Sequence, residues 1–374
     1  MSHNNQQFPV QPQLAMTGAA TPLWRWLDER LGLSAFHYEV PQHANTILYT
    51  LGGVTLGGIL ILIVTGVYMT QFYHPHPPTD ARDSIVYFIT RVRFGEFVRG
   101  VHYWIANLVL ITAVLHLVRV FISASYKRPR ELNWVVGVLL LSILTAAFFT
   151  GTVLKWDQEA YEALQHNEAV GKIMGRMGVF FTSDLTASVP LLTRLAFIHT
   201  SLLPALLTLL ILFHLFLVKR HGISPQPYRQ ERTKGVDYEL RAKAGPKSFF
   251  DLHFNQMVGY TMLLAVLAVL LAVAVPATLG PQVVLGQEVT KPPWTFWWQY
   301  ALENWWGLKA LLWASVAIPV GLILVPFMDR TPFRHILNRK WMLLFGVAVV
   351  LAWIALTTYV GVTPTVEHLR MAGS

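Results

Sequence analysis

Four histidines stand inside apolar sequence, and their spacing is the first chemical signal in the chain. The stretch RGVHYWIANLVLITAVLHLVR, residues 99–119, carries His102 and His116. The stretch RLAFIHTSLLPALLTLLILFHLFLVK, residues 194–219, carries His199 and His214. On an α-helix, a step of 14 residues returns to within about 40° of the starting azimuth and a step of 15 to within about 60°. Both histidines of each stretch therefore look the same way, about 21–22 Å apart along the axis. Two such helices side by side present two cross-helix pairs, His102 with His199 and His116 with His214. A lone histidine in an apolar helix is ordinarily a hydrogen-bonded packing residue. Four of them, paired at matched spacing, describe bis-imidazole ligation of two haem irons. Such sites are coordinatively full and suited to electron transfer.

Other residues repeat the same step. Gly52 and Gly66 are 14 apart, as are Gly137 and Gly151. A flat macrocycle wedged in a helix bundle needs close backbone approach, which a residue without Cβ permits. Small residues also serve ordinary helix packing in membranes, but the shared step favours haem. Arg99 stands three residues before His102 and Arg119 three after His116, where haem propionates would meet water and a guanidinium. The loop SYKRPREL adds Lys127, Arg128 and Arg130. Lys219 and Arg220 stand beyond His214. They are placed to polarise a quinone carbonyl, or equally to act as topogenic charge.

These residues must be carried by membrane-spanning helices. The chain has 374 residues, 54% of them hydrophobic and 13% charged, the balance of an all-α integral membrane protein. Seven apolar stretches can cross a bilayer of about 30 Å. They are spans A to G, at 48–72, 101–124, 134–154, 190–218, 257–278, 306–327 and 341–361. There is no cysteine, which excludes disulfides, zinc–thiolate sites, iron–sulfur ligation and thioether-linked haem within the chain. The net charge of +9 does not imply nucleic acid, because Lys and Arg gather in cytoplasmic loops. Two precede A, three lie in 125–133, eight in 219–256 and four in 328–340. The opposite side has four in 73–99, three in 155–189, one in 279–305 and one after G. This asymmetry puts the N-terminus in the cytoplasm, His102 and His199 near the outer (p) face, and His116 and His214 near the inner (n) face.

The expected organisation is a disordered polar tail over 1–22 with no signal-peptide core, then a haem unit over 23–222. That unit holds a short interfacial helix at Leu23–Leu33 and a four-helix bundle of spans A–D. A polar linker over 223–250, a three-span unit over 251–365 and a tail over 366–374 follow. The Trp-rich stretch 294–306 reads mainly as an aromatic belt.

The stretches RGVHYWIANLVLITAVLHLVRVF, KRPRELNWVVGVLL, FFTGTVLKWDQ and LTRLAFIHTSLLPALLTLLILFHLFLVKRHGIS resemble cytochrome b of the Rieske–cytochrome b complexes, chloroplast and cyanobacterial type. WLDERLGL and VPQHANTILYTLGG resemble its amino-terminal helix and the start of its helix A. Residues 280–328 look like the separate subunit IV of that complex, here fused to the haem domain. The resemblance implies a di-haem subunit of a quinol-oxidising complex in a prokaryotic inner membrane. Quinol is oxidised near the p-side haem. One electron passes to a Rieske iron–sulfur protein and on to a c-type cytochrome or other acceptor. The second crosses both haems to an n-side quinone site, with proton translocation. A homodimeric complex embedded in lipid is also implied.

Three departures from that pattern matter. The family's PEWY appears as PPWT, Pro292–Thr295, so its glutamate is Pro293, followed by Trp294. PWDQ appears as KWDQ, with Trp156 and Asp157 retained. Thr50 stands where the chloroplast type binds a third haem through cysteine. A quinol site between the KWDQ and PPWT loops would need another proton acceptor, usually His or a carboxylate. Asp157 is the first candidate and Glu303 the second, although Asp157 also suits the N-cap of a helix DQEAYEAL. Two other readings stay open: a di-haem anchor of another quinone-linked oxidoreductase, and a non-redox transporter whose histidines carry protons.

Overall fold

A computed structural model describes residues 21–369 except 33, 35–36, 78–79 and 228–244. The expectations for residues 1–20, for most of the 223–250 linker and for 370–374 lie outside the described residues. Among those described, seven helical stretches are long and apolar enough to cross a membrane.

A short helix α1, Pro22–Leu31, precedes the spans, with charges and apolar residues interleaved as the sequence predicts. Span A is α2, Ile47–Thr70. After α3, Asp80–Arg91, span B is α4, Gly95–Ile122, and span C is α5, Glu131–Leu154. The loop helix α6, Gln158–Ile173, leads to span D. Span D is composite: α7, Leu191–Phe197, a π-helical turn at Ile198–Leu202, and α8, Leu203–His221. Span E is α9, Phe250–Ala274, starting seven residues earlier than expected. A short α10, Trp297–Trp306, precedes span F, α11, Leu308–Met328, and span G, α12, Lys340–Val362. The only sheet among the described residues pairs β1, Glu39–Pro41, with β2, Lys247–Phe249, antiparallel with Val40 opposite Ser248.

The division after residue 250 belongs to the sequence and not to the packing. Val54, Ile59, Val101, Ile105 and Val109 of α2 and α4 form one buried cluster with Leu264, Ala268 and Ala272 of α9. Packing of this kind, and not hydrophobic contrast, holds helices together in lipid. Span F is tied to the His116–His214 end of the bundle, where Trp134 of α5 donates its indole N–H to the Leu322 carbonyl at 2.6 Å.

Candidate haem and quinol sites

The π turn resolves the mismatch between spacings of 14 and 15. Pro204 has no N–H to give the Thr200 carbonyl, and its ring crowds that turn. The backbone widens just before it, and Leu203 N–H donates to the Ile198 carbonyl, five residues back. A turn of this kind takes up one extra residue. His199 and His214 are thereby brought towards the phase that a 14-residue step gives His102 and His116.

Each histidine is met by one of the four glycines. A Cβ on Gly66 would lie 3.4 Å from His102 Cε1, and one on Gly52 3.0 Å from His116 Cε1. A Cβ on Gly137 would lie 3.5 Å from His214 Cε1, and one on Gly151 2.9 Å from His199 Cε1. The glycine pair of α2 therefore abuts the histidine pair of α4, and that of α5 the pair of span D. The space beside Gly52 and Gly151 is thus taken by an imidazole edge, while Gly66 and Gly137 keep ordinary contact distance. His102 and His199 are near enough to interact electrostatically, as are His116 and His214.

The p-side rings have a further constraint. Thr65 Oγ1 donates to the Ile61 carbonyl at 2.8 Å and so accepts from His102 Nδ1–H at 2.8 Å. Thr150 Oγ1 donates to the Ala146 carbonyl at 2.9 Å and accepts from His199 Nδ1–H at 3.0 Å. Both imidazoles are thus held in the tautomer that leaves Nε2 free as a ligand, the usual arrangement around a metal-binding histidine. On the n-side the corresponding positions are Leu51 and Val136. Among the described residues neither His116 Nδ1 nor His214 Nδ1 has a well-aligned hydrogen-bond partner, the Asn133 carbonyl being the polar group that His214 faces. The sequence does carry this signal, since a threonine precedes each p-side glycine and an aliphatic residue each n-side one.

The basic residues expected at propionates are engaged with the protein. Arg99 donates to the Ala277 carbonyl. Arg119 donates to the Leu48 carbonyl at 3.2 Å and lies 4.0 Å over the Tyr49 ring. Arg130 is buried and donates to the His221 and Gly222 carbonyls at 2.7 and 3.1 Å, which corrects its cofactor role to closure of the α8 C-terminus. Lys219 and Arg220 are exposed at the end of α8, with the Lys219 ammonium 5.8 Å from the Tyr38 ring.

The KWDQ turn ends α5 with Trp156 in the left-handed region at φ 48°, an uncommon conformation for a bulky residue. Its indole is buried edge-on against Tyr161. Asp157 is fully buried. Its Oδ1 accepts from Ala160 N at 3.0 Å, capping α6, and its Oδ2 accepts from Gly280 N at 2.8 Å and lies 3.3 Å from Lys155 Nζ. Both oxygens are committed, so the expectation that Asp157 takes a quinol proton gives way to a structural one: it caps a helix and pins the E–F loop. Gln158 completes the clamp. Its N–H donates to the Pro281 carbonyl at 3.0 Å, its Oε1 accepts from Val284 N at 2.7 Å, and its Nε2 donates to the Gln287 carbonyl at 3.0 Å.

Held this way, the PPWT segment reaches the bundle. Trp294 donates its indole N–H to Asn107 Oδ1 at 2.9 Å. Asn107 is buried on α4, five residues from His102. Phe296 packs edge-on against Phe148 and Phe149 of α5. Pro293, where the resemblance expects glutamate, precedes this turn. Sequence reasoning did not single out Asn107, although an amide in mid-span is itself a signal. Glu303 is drawn away from the KWDQ turn into a buried cluster, where its Oε1 lies 3.3 Å from His166 Nε2. Burial alone would lower the His166 pKa, but the Glu288 and Glu303 carboxylates push it up to about 10.

Residues 36–222 match the family described as Cytochrome b/b6/petB. This chain belongs to the cytochrome b/b6 family. A menaquinol:cytochrome c reductase cytochrome b subunit of Geobacillus thermodenitrificans is 37% identical over 218 residues, 54% of this chain and 97% of that protein. A cytochrome b6 of Trichodesmium erythraeum is 36% identical over 213 residues, 54% of this chain and 95% of that protein. One from Prochlorococcus marinus is 36% identical over 214 residues, 55% of this chain and 97% of that protein. A chain of a hyperthermophilic respiratory Complex III shares the fold at TM-score 0.69 and 23% identity, covering 93% of both chains. The resemblance read from the sequence is thus borne out, and the chain is an integral membrane member of a haem b-binding family. The four-helix unit followed by three further spans also stands.

Proposed function

We propose that the chain is the di-haem cytochrome b subunit of a membrane quinol oxidoreductase, with haem b at His102–His199 and at His116–His214. The observation that carries this is the fourfold glycine–imidazole packing, which sets two equivalent ligand pairs at two depths of one bundle. Haem at these pairs would supply one-electron redox chemistry at both depths. The chain's own part is to hold the rings, fix the p-side tautomers through Thr65 and Thr150, and keep water out with the apolar faces of α2, α4, α5 and span D.

The quinol site lies at the p-side between the KWDQ turn and the PPWT segment. Trp156, Trp294 and Phe296 form its aromatic walls, and Asn107 fixes the Trp294 indole. Asp157 and Gln158 act as positioning residues, holding the E–F loop over the p-side end of the bundle. A quinone site on the n-side has Lys219 and Arg220 at its mouth. The likeness to a menaquinol:cytochrome c reductase subunit supports a Rieske-type iron–sulfur protein and a c-type cytochrome as partners in a homodimeric complex. The residues 23–222 form the haem unit and 251–365 the subunit IV-like unit, with the N-terminus on the cytoplasmic side of a prokaryotic inner membrane.

Pyridine haemochrome analysis of the purified complex should give two non-covalent haems b per chain, falling to one in His214→Ala with the p-side haem still reducible by quinol. Unchanged haem content in His214→Ala would overturn the assignment, and no haem at all in the wild type would favour the transporter reading.

A further inference from the structure

A second set of buried ligand-type side chains lies apart from the four haem histidines, where three distant segments meet. His166 comes from α6, Glu288 from the E–F loop, Glu303 from α10, and His368 from the segment after α12. His166, Glu288 and His368 each offer a ligand atom within 4.8 Å of the others.

Each ring is anchored through one nitrogen and turns the other inward, where a metal would take the place of its proton. His166 Nδ1–H donates to the Glu162 carbonyl at 2.8 Å, which leaves Nε2 facing the cluster. His368 Nε2–H donates to Asn304 Oδ1 at 2.7 Å, which turns Nδ1 inward against Glu288 Oε1 at 3.0 Å. Metal-bound histidines almost always hold their other N–H in this manner. Glu288 Oε2 is occupied by the backbone N–H groups of His368 and Leu369 at 2.7 and 3.1 Å, so its Oε1 is the atom turned inward. Glu162 is not available, because its oxygens accept from Gln158, Val289 and Thr290. Two inward atoms have no well-aligned hydrogen-bond partner: His166 Nε2 and Glu303 Oε1, the latter on a side chain only 2% exposed.

The spacing has a metal's dimensions. His368 Nδ1 lies 3.0 Å and His166 Nε2 3.3 Å from Glu288 Oε1, and Glu303 Oε1 lies 3.3 Å from His166 Nε2. Ligand atoms on a tetrahedron with bonds of about 2.0–2.1 Å stand about 3.3 Å apart. Two carboxylates and two neutral imidazoles also balance a divalent ion, so the filled site would bury no net charge.

We propose that His166 Nε2, His368 Nδ1 and Glu288 Oε1 bind a divalent transition cation of the Zn2+ class, with the Glu303 carboxylate beside His166 balancing its charge. The mixed nitrogen and oxygen set suits zinc over the all-oxygen preference of Mg2+ or Ca2+. Its role is structural: the site fastens the segment after span G and the E–F loop to α6.

The test uses the assembled complex purified from membranes, exposed to Zn2+ and passed over a chelating resin, with zinc measured against haem. The wild type should keep about one zinc per chain with two imidazoles at about 2.0–2.1 Å in X-ray absorption. His166→Gln and Glu288→Gln should lose it with the haem spectrum intact. Asn304→Leu removes no ligand and should weaken zinc retention about 10- to 100-fold. If the ligand variants fail to assemble, the wild-type absorption spectrum decides alone. Wild-type zinc no higher than in the variants, or zinc without imidazole ligands, would overturn the proposal.

Discussion

Adding one methyl group at each haem-site glycine should separate the four positions into two classes. A Cβ on Gly151 would stand 2.9 Å from His199 Cε1 and one on Gly52 3.0 Å from His116 Cε1, whereas Gly66 and Gly137 leave 3.4 and 3.5 Å. Ordinary contact begins near 3.4 Å. Gly151→Ala and Gly52→Ala must therefore push an imidazole by about 0.5 Å, while Gly66→Ala and Gly137→Ala need no shift. Overpacking of this sort costs about 1–3 kcal/mol. At about 1.4 kcal/mol per tenfold, haem retention weakens by about 5- to 150-fold. The two haems report separately: Gly151→Ala should affect the p-side site and Gly52→Ala the n-side site. The assay is haem content of purified variants after graded detergent challenge, with a redox titration to assign which haem is lost. Equal loss in Gly66→Ala and Gly151→Ala, or loss of the n-side haem in Gly151→Ala, would refute the packing argument.

Two further outcomes follow from the same geometry. Thr65→Val or Thr150→Val removes the acceptor for a p-side Nδ1–H and makes Nε2 a weaker donor to ferric iron. The p-side haem potential should rise by about 20–60 mV with the n-side potential unmoved, and a redox titration showing equal shifts in both would contradict it. On the n-side, Asp329 is buried against Arg339 at 2.9 Å and accepts from Tyr126 at 2.7 Å. Burial pushes its carboxyl up, but hydrogen bonds from Tyr126 and Thr331 and the Lys127 charge outweigh this and hold it below its ordinary 3.8. A depressed carboxyl contributes stability that is fully present above pH 3.8 and is lost as pH falls through the folded value. Asp329→Asn, which leaves Arg339 uncompensated, should cost about 3–5 kcal/mol at neutral pH. In thermal denaturation its deficit should shrink in acid, and a deficit that grows below pH 3.8 would be inconsistent with the ion pair.

What could be read from the sequence was local. A span of lipid-facing helix must be a long apolar run, so the seven spans lie close to their expected limits except at the starts of B and E, which come six and seven residues early. In span E, Phe250–Gln256 carries Asp251 and His253, which hydropathy places in a loop although the helix already includes them. The paired histidines proposed as haem ligands were legible because helical phase converts spacing into a shared face. The same logic exposed the repeating glycines but not how closely an imidazole of the neighbouring helix stands against Gly52 and Gly151.

Tertiary structure decided whatever depends on residues far apart in the chain. A spacing of 15 becomes equivalent to 14 only through the π turn ahead of Pro204, a backbone adjustment that no periodicity reveals. Asp157 reads as a free carboxylate beside a redox site until Gly280, more than a hundred residues later, donates to it. Arg130 reads as a propionate partner until the end of α8 lies against its guanidinium. Glu303 reads as a second proton acceptor until His166 comes to meet it. Charge and residue type set what a side chain can do. Which partner satisfies it is fixed by the chain fold, because burying a polar group without one costs more than almost any local preference can offset.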